Sequence, residues 1–180
     1  MKKLKILFVV LIVSQFTGCI VINTASYEVT VNKDGTGTAR ITLEDLKSNA
    51  ENDSVFSEDL KIILDSEYQS QTIVSEMDQR GMNLTSKNFV VEENKLNAII
   101  SFEFNNVNSV EGIMFEDPYY YLTIPSSDSI ISTNGQITKT SEYQRIMWDK
   151  SINTLKFKMF SDDTDKEGLK PLAPHYLKAK

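Results

Sequence analysis

Apolar and polar residues alternate along much of the chain, and the alternation breaks at turn residues. Tyr27, Val29 and Val31 alternate with Glu28, Thr30 and Asn32, the period-two pattern of a strand with one buried face. Asp34-Gly35 follows, a hairpin signal because glycine tolerates positive φ, and Ala39, Ile41 and Leu43 alternate on the way back. Val55, Phe56, Leu60, Ile63 and Leu64 sit near helical spacing, with Asp53 or Ser54 of the stretch ENDS as the cap. Ile73, Val74 and Met77 predict a second helix over 70–79, which Gly81 ends in a left-handed cap.

Further along, 89–91, a turn at 93–95, and the alternating Ala98, Ile100, Phe102 and Phe104 predict a second hairpin. Residues 108–115 predict a short helix, with Ser109 near its N-cap and Val110, Ile113 and Met114 turned inward. YYYLTIP is a strand that stops at Pro125. SSDSIISTNGQI reads as a loop carrying another hairpin signal, Asn134-Gly135. Residues 143–148, a turn at 149–153, and Leu155, Phe157 and Met159 predict a last strand pair. Residues 161–180 are polar and contain Pro171 and Pro174, which predicts a loose C-terminal tail.

Strands grouped between helices predict the α+β class: an antiparallel sheet built from β-hairpins, with a few helices packed on one face. At 180 residues the chain suits one domain, placed at 19–160.

Residues 1–18 stand apart. Lys2, Lys3 and Lys5 form a basic start, residues 6–13 are an unbroken apolar run of eight, and Ser14 and Gln15 follow. This is the layout of a secretory signal, and the run is too short for a spanning helix, which needs ~20 apolar residues. Phe16, Thr17, Gly18 and Cys19 come next, and Cys19 is the one cysteine of the chain.

This segment resembles a bacterial lipoprotein signal peptide, whose lipobox is an aliphatic residue, a small residue, Gly or Ala, then Cys. Thr17, Gly18 and Cys19 fit, and Phe16 stands where the family usually has Leu. The resemblance implies cleavage between Gly18 and Cys19, and attachment of the Cys19 thiol to diacylglycerol with acylation of the new amine. It also implies a lipid bilayer as the partner of Cys19. Ile20 after the cysteine implies, in a Gram-negative cell, sorting to the outer membrane with the body in the periplasm. A lone thiol in an oxidising compartment is open to mixed disulfides and oxidation, and lipidation removes it. Each buried acyl CH₂ adds ~0.8 kcal/mol, so two or three chains hold a protein on a membrane.

Charge narrows the partners. The formal net charge is −6; without the three lysines of 1–18, 16 basic side chains face 25 acidic ones, a charge of −9. An acidic body repels nucleic acid, which is rejected as a partner. One Cys and one His, His175, give no basis for a multi-Cys zinc site or a His-rich metal site, and no cofactor is expected.

Several short motifs fall to plain readings. DTDKEG at 163–168 has the acids and glycine of an EF-hand start, but the twelfth position is Pro174, which offers no side-chain oxygen. Gly35 and Gly37 lack the third glycine of a dinucleotide fingerprint. The cysteine and histidine do not assemble a nucleophile with a base. Glu92, Glu93, Glu103, Glu111, Glu116 and Asp117 offer carboxylates for a hydrolase, as any acidic surface does. Tyr119, Tyr121 and Trp148 are the candidate ligand surface, with Tyr120 on the opposite face by alternation.

The expectation is a membrane-anchored, non-catalytic binding or accessory module of the cell envelope, with an envelope protein as a candidate partner. The alternatives are a carboxylate-dependent envelope hydrolase and a carrier of an apolar ligand.

Overall fold

The structure is a computed structural model that describes residues 20–66, 71–160 and 168–179. The expected signal segment, its cleavage site and the lipidation site Cys19 lie outside the described residues, as does 161–167 with most of the EF-hand-like motif.

The described chain is mainly β. β1 (Ile20–Val21) leads into β2 (Thr24–Val31), which pairs with β3 (Gly37–Glu44) across the Asp34-Gly35 turn. Gly35 has φ +83, and the Asp34 carboxylate accepts from the Thr36 amide and hydroxyl. β4 (Lys47–Ser48) precedes helix α1 (Asp53–Ser66). The cap of α1 is Asn52, one residue earlier than expected, whose side chain accepts from the Val55 amide at 3.0 Å. Helix α2 (Gln71–Gln79) ends as expected at Gly81, with φ +72. β5 (Met82–Glu92) and β6 (Lys95–Phe104) form the second hairpin around Glu93 and Asn94, both at positive φ.

The predicted helix at 108–115 is a single 3₁₀ turn, Val107–Ser109, capped by Asn106. Glu111 (φ 51) and Gly112 (φ 73) then turn the chain left-handed and stop any helix. Val110 and Ile113 are buried as expected, but Met114 opens strand β7 (Met114–Glu116) and is exposed. β7 turns at the cis Asp117-Pro118 bond into β8 (Tyr119–Pro125). β9 (Ser129–Thr133), β10 (Gln136–Lys139), β11 (Tyr143–Asp149) and β12 (Thr154–Phe160) follow, and the chain closes with β13 (Lys170–Pro171) and helix α3 (Ala173–Ala179).

Three antiparallel sheets result, with orders β5-β6-β3-β2-β12-β9, β10-β11-β8-β7 and β1-β4-β13. Two expected hairpins do not exist. β9 pairs with β12 and β10 with β11, so Asn134-Gly135 carries the chain from one sheet to the other. Likewise β11 and β12 are not partners: β11 lies between β10 and β8, and β12 between β2 and β9. The inner faces of the two larger sheets meet at aromatic rings. Tyr27 of β2 stacks on Phe157 of β12 at 4.4 Å, and Trp148 of β11 lies 5.8 Å from Phe157.

The helices cover the other part of the large sheet's inner face. α2 packs on β5, and Tyr176 of α3 lies 6.2 Å from Phe89 of β5. The layered picture is therefore sheet against sheet on one side and sheet against helices on the other. The Ser48 hydroxyl, wholly buried, donates to Asp59 of α1 at 2.5 Å and accepts from the Ala50 amide, which fixes α1 to the small sheet.

The loose tail expected at 161–180 is corrected over 168–179. Lys170 and Pro171 pair with β4, and Leu172, Ala173 and Tyr176 are buried in the core. Pro174 lies in the first turn of α3, where the missing N–H costs nothing and the fixed φ favours a helix start. His175 rests edge-on against Phe56 of α1 at 4.8 Å.

Candidate functional site

Strand alternation sorts the four-stranded sheet into two faces. The inner face holds Leu122, Ile124, Ile146 and Trp148, all buried. The register sets Trp148 opposite Tyr120 and Met147 opposite Tyr121. Trp148 is therefore not part of a ligand surface, which corrects its grouping with Tyr119 and Tyr121. It is fully buried, and its indole N–H donates to Asn134 at 2.8 Å. The β8–β11 register decides this, since it places Tyr121 opposite Met147 and not Trp148.

The outer face carries Tyr119, Tyr121 and Thr123 from β8, Tyr143, Arg145 and Met147 from β11, and Met114 from β7. Arg145 is the residue that sequence reasoning missed. Its guanidinium lies 4.8 Å from the Tyr121 ring and 5.3 Å from the Tyr143 ring. Its Nε donates to Thr123 Oγ1 at 2.9 Å. Two rings and one hydroxyl thus orient a long side chain that would otherwise sample many rotamers, and stacking of this kind contributes ~0.5–1 kcal/mol at exposed sites. The ion pairs among the described residues are all made by lysines, with Asp45, Asp117, Glu28, Glu44 and Asp53. Arg145 holds none, so the Nη fork has no carboxylate partner there.

Around this centre Met114, Phe115 and Tyr119 are more than two-fifths exposed. Phe115 points to the other face, 4.8 Å from Tyr120. β7 has a hydrogen-bonded neighbour on one side only. The Met114–Tyr119 end of the patch lies beside the first hairpin turn. Val107 at its root donates to Gly35 O in the first hairpin turn, and Lys150 donates through its amide to Pro118 O beside it. Ile20, by contrast, is paired with Ser48 at the opposite end of β2. Eight residues of β2 separate the two ends, about 26 Å at ~3.3 Å per residue.

The outer face of the six-stranded sheet is polar. Cross-strand rows run Lys156, Glu28, Arg40, Ser101 and Lys158, Ser26, Thr42, Ile99. Burial alone would raise the Glu44 carboxyl, but hydrogen bonds from Lys158, Ser26 and Thr24 hold it below the usual range, so it stays ionised. A shallow cleft of about 500 Å³ beside it is lined by Asp45, Glu92, Glu93 and Lys95. Among the described residues no cluster of three or more His, Cys, Asp or Glu could hold a metal ion.

Glu111 differs from the other acids considered for hydrolysis. Burial pushes its carboxyl up to about 8, against the opposing effect of a 3.3 Å hydrogen bond from Tyr27. Burial, and then the neighbouring Glu111, pushes Tyr27 well above the usual range. The half-buried Glu111 carboxyl thus meets a fully buried phenol. Glu92 and Glu93 line the polar cleft, Glu103 lies on the polar sheet face, and Glu116 and Asp117 are exposed around the β7–β8 turn. A second inward group is Lys87 of β5, opposite Ile100 of β6. Its Nζ is buried with no hydrogen-bond partner among the described residues, and burial lowers its pKa. A charge turned inward on an edge strand discourages strand addition there.

No protein-family model, curated protein or solved structure matches the chain.

Proposed function

We propose that this chain is a lipid-anchored, non-catalytic binding module of the bacterial cell envelope, held through Cys19, and that it engages a partner protein with the outer face of β7, β8 and β11. The observation that carries the reading is the Tyr121–Arg145–Tyr143 stack. Tyrosine and arginine are the residue types that dominate binding hot spots, and here they are assembled in advance beside exposed Met114 and Tyr119.

The position of the patch supports a protein partner over the bilayer. Ile20, the residue after Cys19, is buried in β1 and paired to β4, so the anchor has no long leash. The β7 end of the patch, with exposed Met114 and Tyr119, lies across the length of β2 from that point, and apolar area held that far from the anchor faces other envelope proteins.

Photo-crosslinking in intact cells tests this. A benzophenone amino acid at Tyr119 should give a discrete protein adduct, one at Glu103 on the polar sheet should not, and Cys19→Ser should diminish the Tyr119 adduct. Equal adducts from both positions, or none from Tyr119, would overturn the reading.

A further inference from the structure

We infer that Arg145 is a carboxylate receptor, and that the partner segment seated on the outer face of β8 and β11 is a polypeptide carrying an acidic side chain beside apolar ones. This rests on the proposed binding role and names what the face recognises.

The geometry points to a planar anion. Nε of Arg145 is already committed to Thr123, and the rings of Tyr121 and Tyr143 hold the guanidinium in place. The two Nη groups remain, and a guanidinium fork matches the two oxygens of a carboxylate in one plane. Tyr121, Tyr143 and Met147 are half-buried around it, so a bound carboxylate would lie in a partly desolvated setting. There a charge-assisted pair is stronger than in open water. Met114 and Tyr119 extend the surface with apolar area that a lone small anion would leave uncovered.

A phosphate is the poorer fit. It carries up to two charges and favours several cations, whereas the next outward positions on these strands are Thr138 and Thr123, and Lys150 is paired with Asp117 at 2.7 Å. Glu116 and Asp149 stand in the neighbouring row, on a body already at net negative charge. One arginine inside that field is matched to one negative charge. The aromatic rings of Tyr121 and Tyr143 are engaged by the guanidinium, which leaves less free ring face for a sugar.

Selective ¹⁵N-arginine labelling of the full chain in detergent micelles supplies the test. Arg40 and Arg80 serve as internal controls of the fold. Three probes are added in turn: acetyl-Leu-Glu-Leu-amide, acetyl-Leu-Gln-Leu-amide and inorganic phosphate. The Glu peptide should shift the Arg145 Nε–H saturably, binding at least about tenfold more tightly than the Gln peptide. In calorimetric titrations Arg145→Lys should weaken the Glu peptide by a similar factor, while the Arg40 and Arg80 signals of the labelled variant stay in place. Equal binding of the two peptides, a shift that never saturates, or tighter binding of phosphate than of the Glu peptide would each overturn the inference. A crosslinked partner at Tyr119 with no preference for the Glu peptide would leave the binding role standing and remove the carboxylate.

Discussion

The indole N–H of Trp148 donates to Oδ1 of Asn134 at 2.8 Å, and the same oxygen accepts the Lys156 amide at 2.8 Å. Trp148 belongs to the four-stranded sheet and Lys156 to the six-stranded one, so one side-chain oxygen joins the two. The Asn134 amide also donates to Thr154 O. Replacing Asn134 by Leu strands the buried indole donor, while the exposed Lys156 amide turns to water. Urea unfolding should show a loss of about 1–3 kcal/mol, the cost of one unsatisfied buried group. A loss below about 0.5 kcal/mol would mean that the sheets are joined elsewhere.

Gly135 lies next to this junction without room for a side chain. A Cβ there would sit 2.7 Å from Ile146 Cγ2, Met147 O and Trp148 Nε1. At Gly35 the space is open, and only its φ of +83 resists a larger residue. Gly135→Ala should cost roughly 2–4 kcal/mol by overpacking, and Gly35→Ala about 1 kcal/mol by backbone strain. Paired chemical denaturation of the two variants measures the difference, and equal costs would contradict the crowding at the crossover.

Glu111 makes stability depend on pH in a definite direction. Burial raises its pKa from 4.5 to about 8 in the folded chain. Below pH 4.5 the carboxyl is protonated folded or unfolded, and the protonated interior acid keeps its full contribution. Between 4.5 and about 8 the unfolded chain ionises while the fold retains the proton, so stability falls; above about 8 the loss is complete. The ceiling is ~5 kcal/mol at ~1.4 kcal/mol per pH unit, and partial solvent access lowers it. Glu111→Gln should therefore stabilise the fold by roughly 1–3 kcal/mol near pH 9 and leave it unchanged near pH 4. A variant whose stability tracks the parent across that range would contradict the buried acid.

Tyr176 tests the closing helix. Its ring is 2 % exposed and packs towards Phe89. Tyr176→Ala should cost about 3–4 kcal/mol, as truncation of a buried aromatic does. A loose tail would show no change in the unfolding midpoint.

Local turn chemistry was legible. Asp34-Gly35, the Gly81 cap and the Glu93–Lys95 turn lie where the pattern put them, because each is fixed by its own few residues. The sheet crossover was not, because Asn134-Gly135 suits a tight hairpin as well as a junction, and what decides is the pairing of β9 with β12, far along the chain. The C-terminal helix was hidden by its prolines, yet Leu172, Ala173 and Tyr176 already mark one face of a helix that Pro174 starts. Tyr119 and Tyr121 share the outer face as alternation requires. Arg145 escaped notice because a lone arginine in a strand carries no signal until its register places it between two tyrosines.

The proposed role rests on anchoring through Cys19, and intact mass with membrane fractionation measures that directly, for the native chain and for Cys19→Ser. A lipid-anchored native protein should begin at Cys19 with added acyl mass and stay with membranes, and the variant should leave them or keep its signal uncleaved. A mature chain that begins elsewhere without acyl mass, or a Cys19→Ser variant that fractionates like the native protein, would contradict that anchoring.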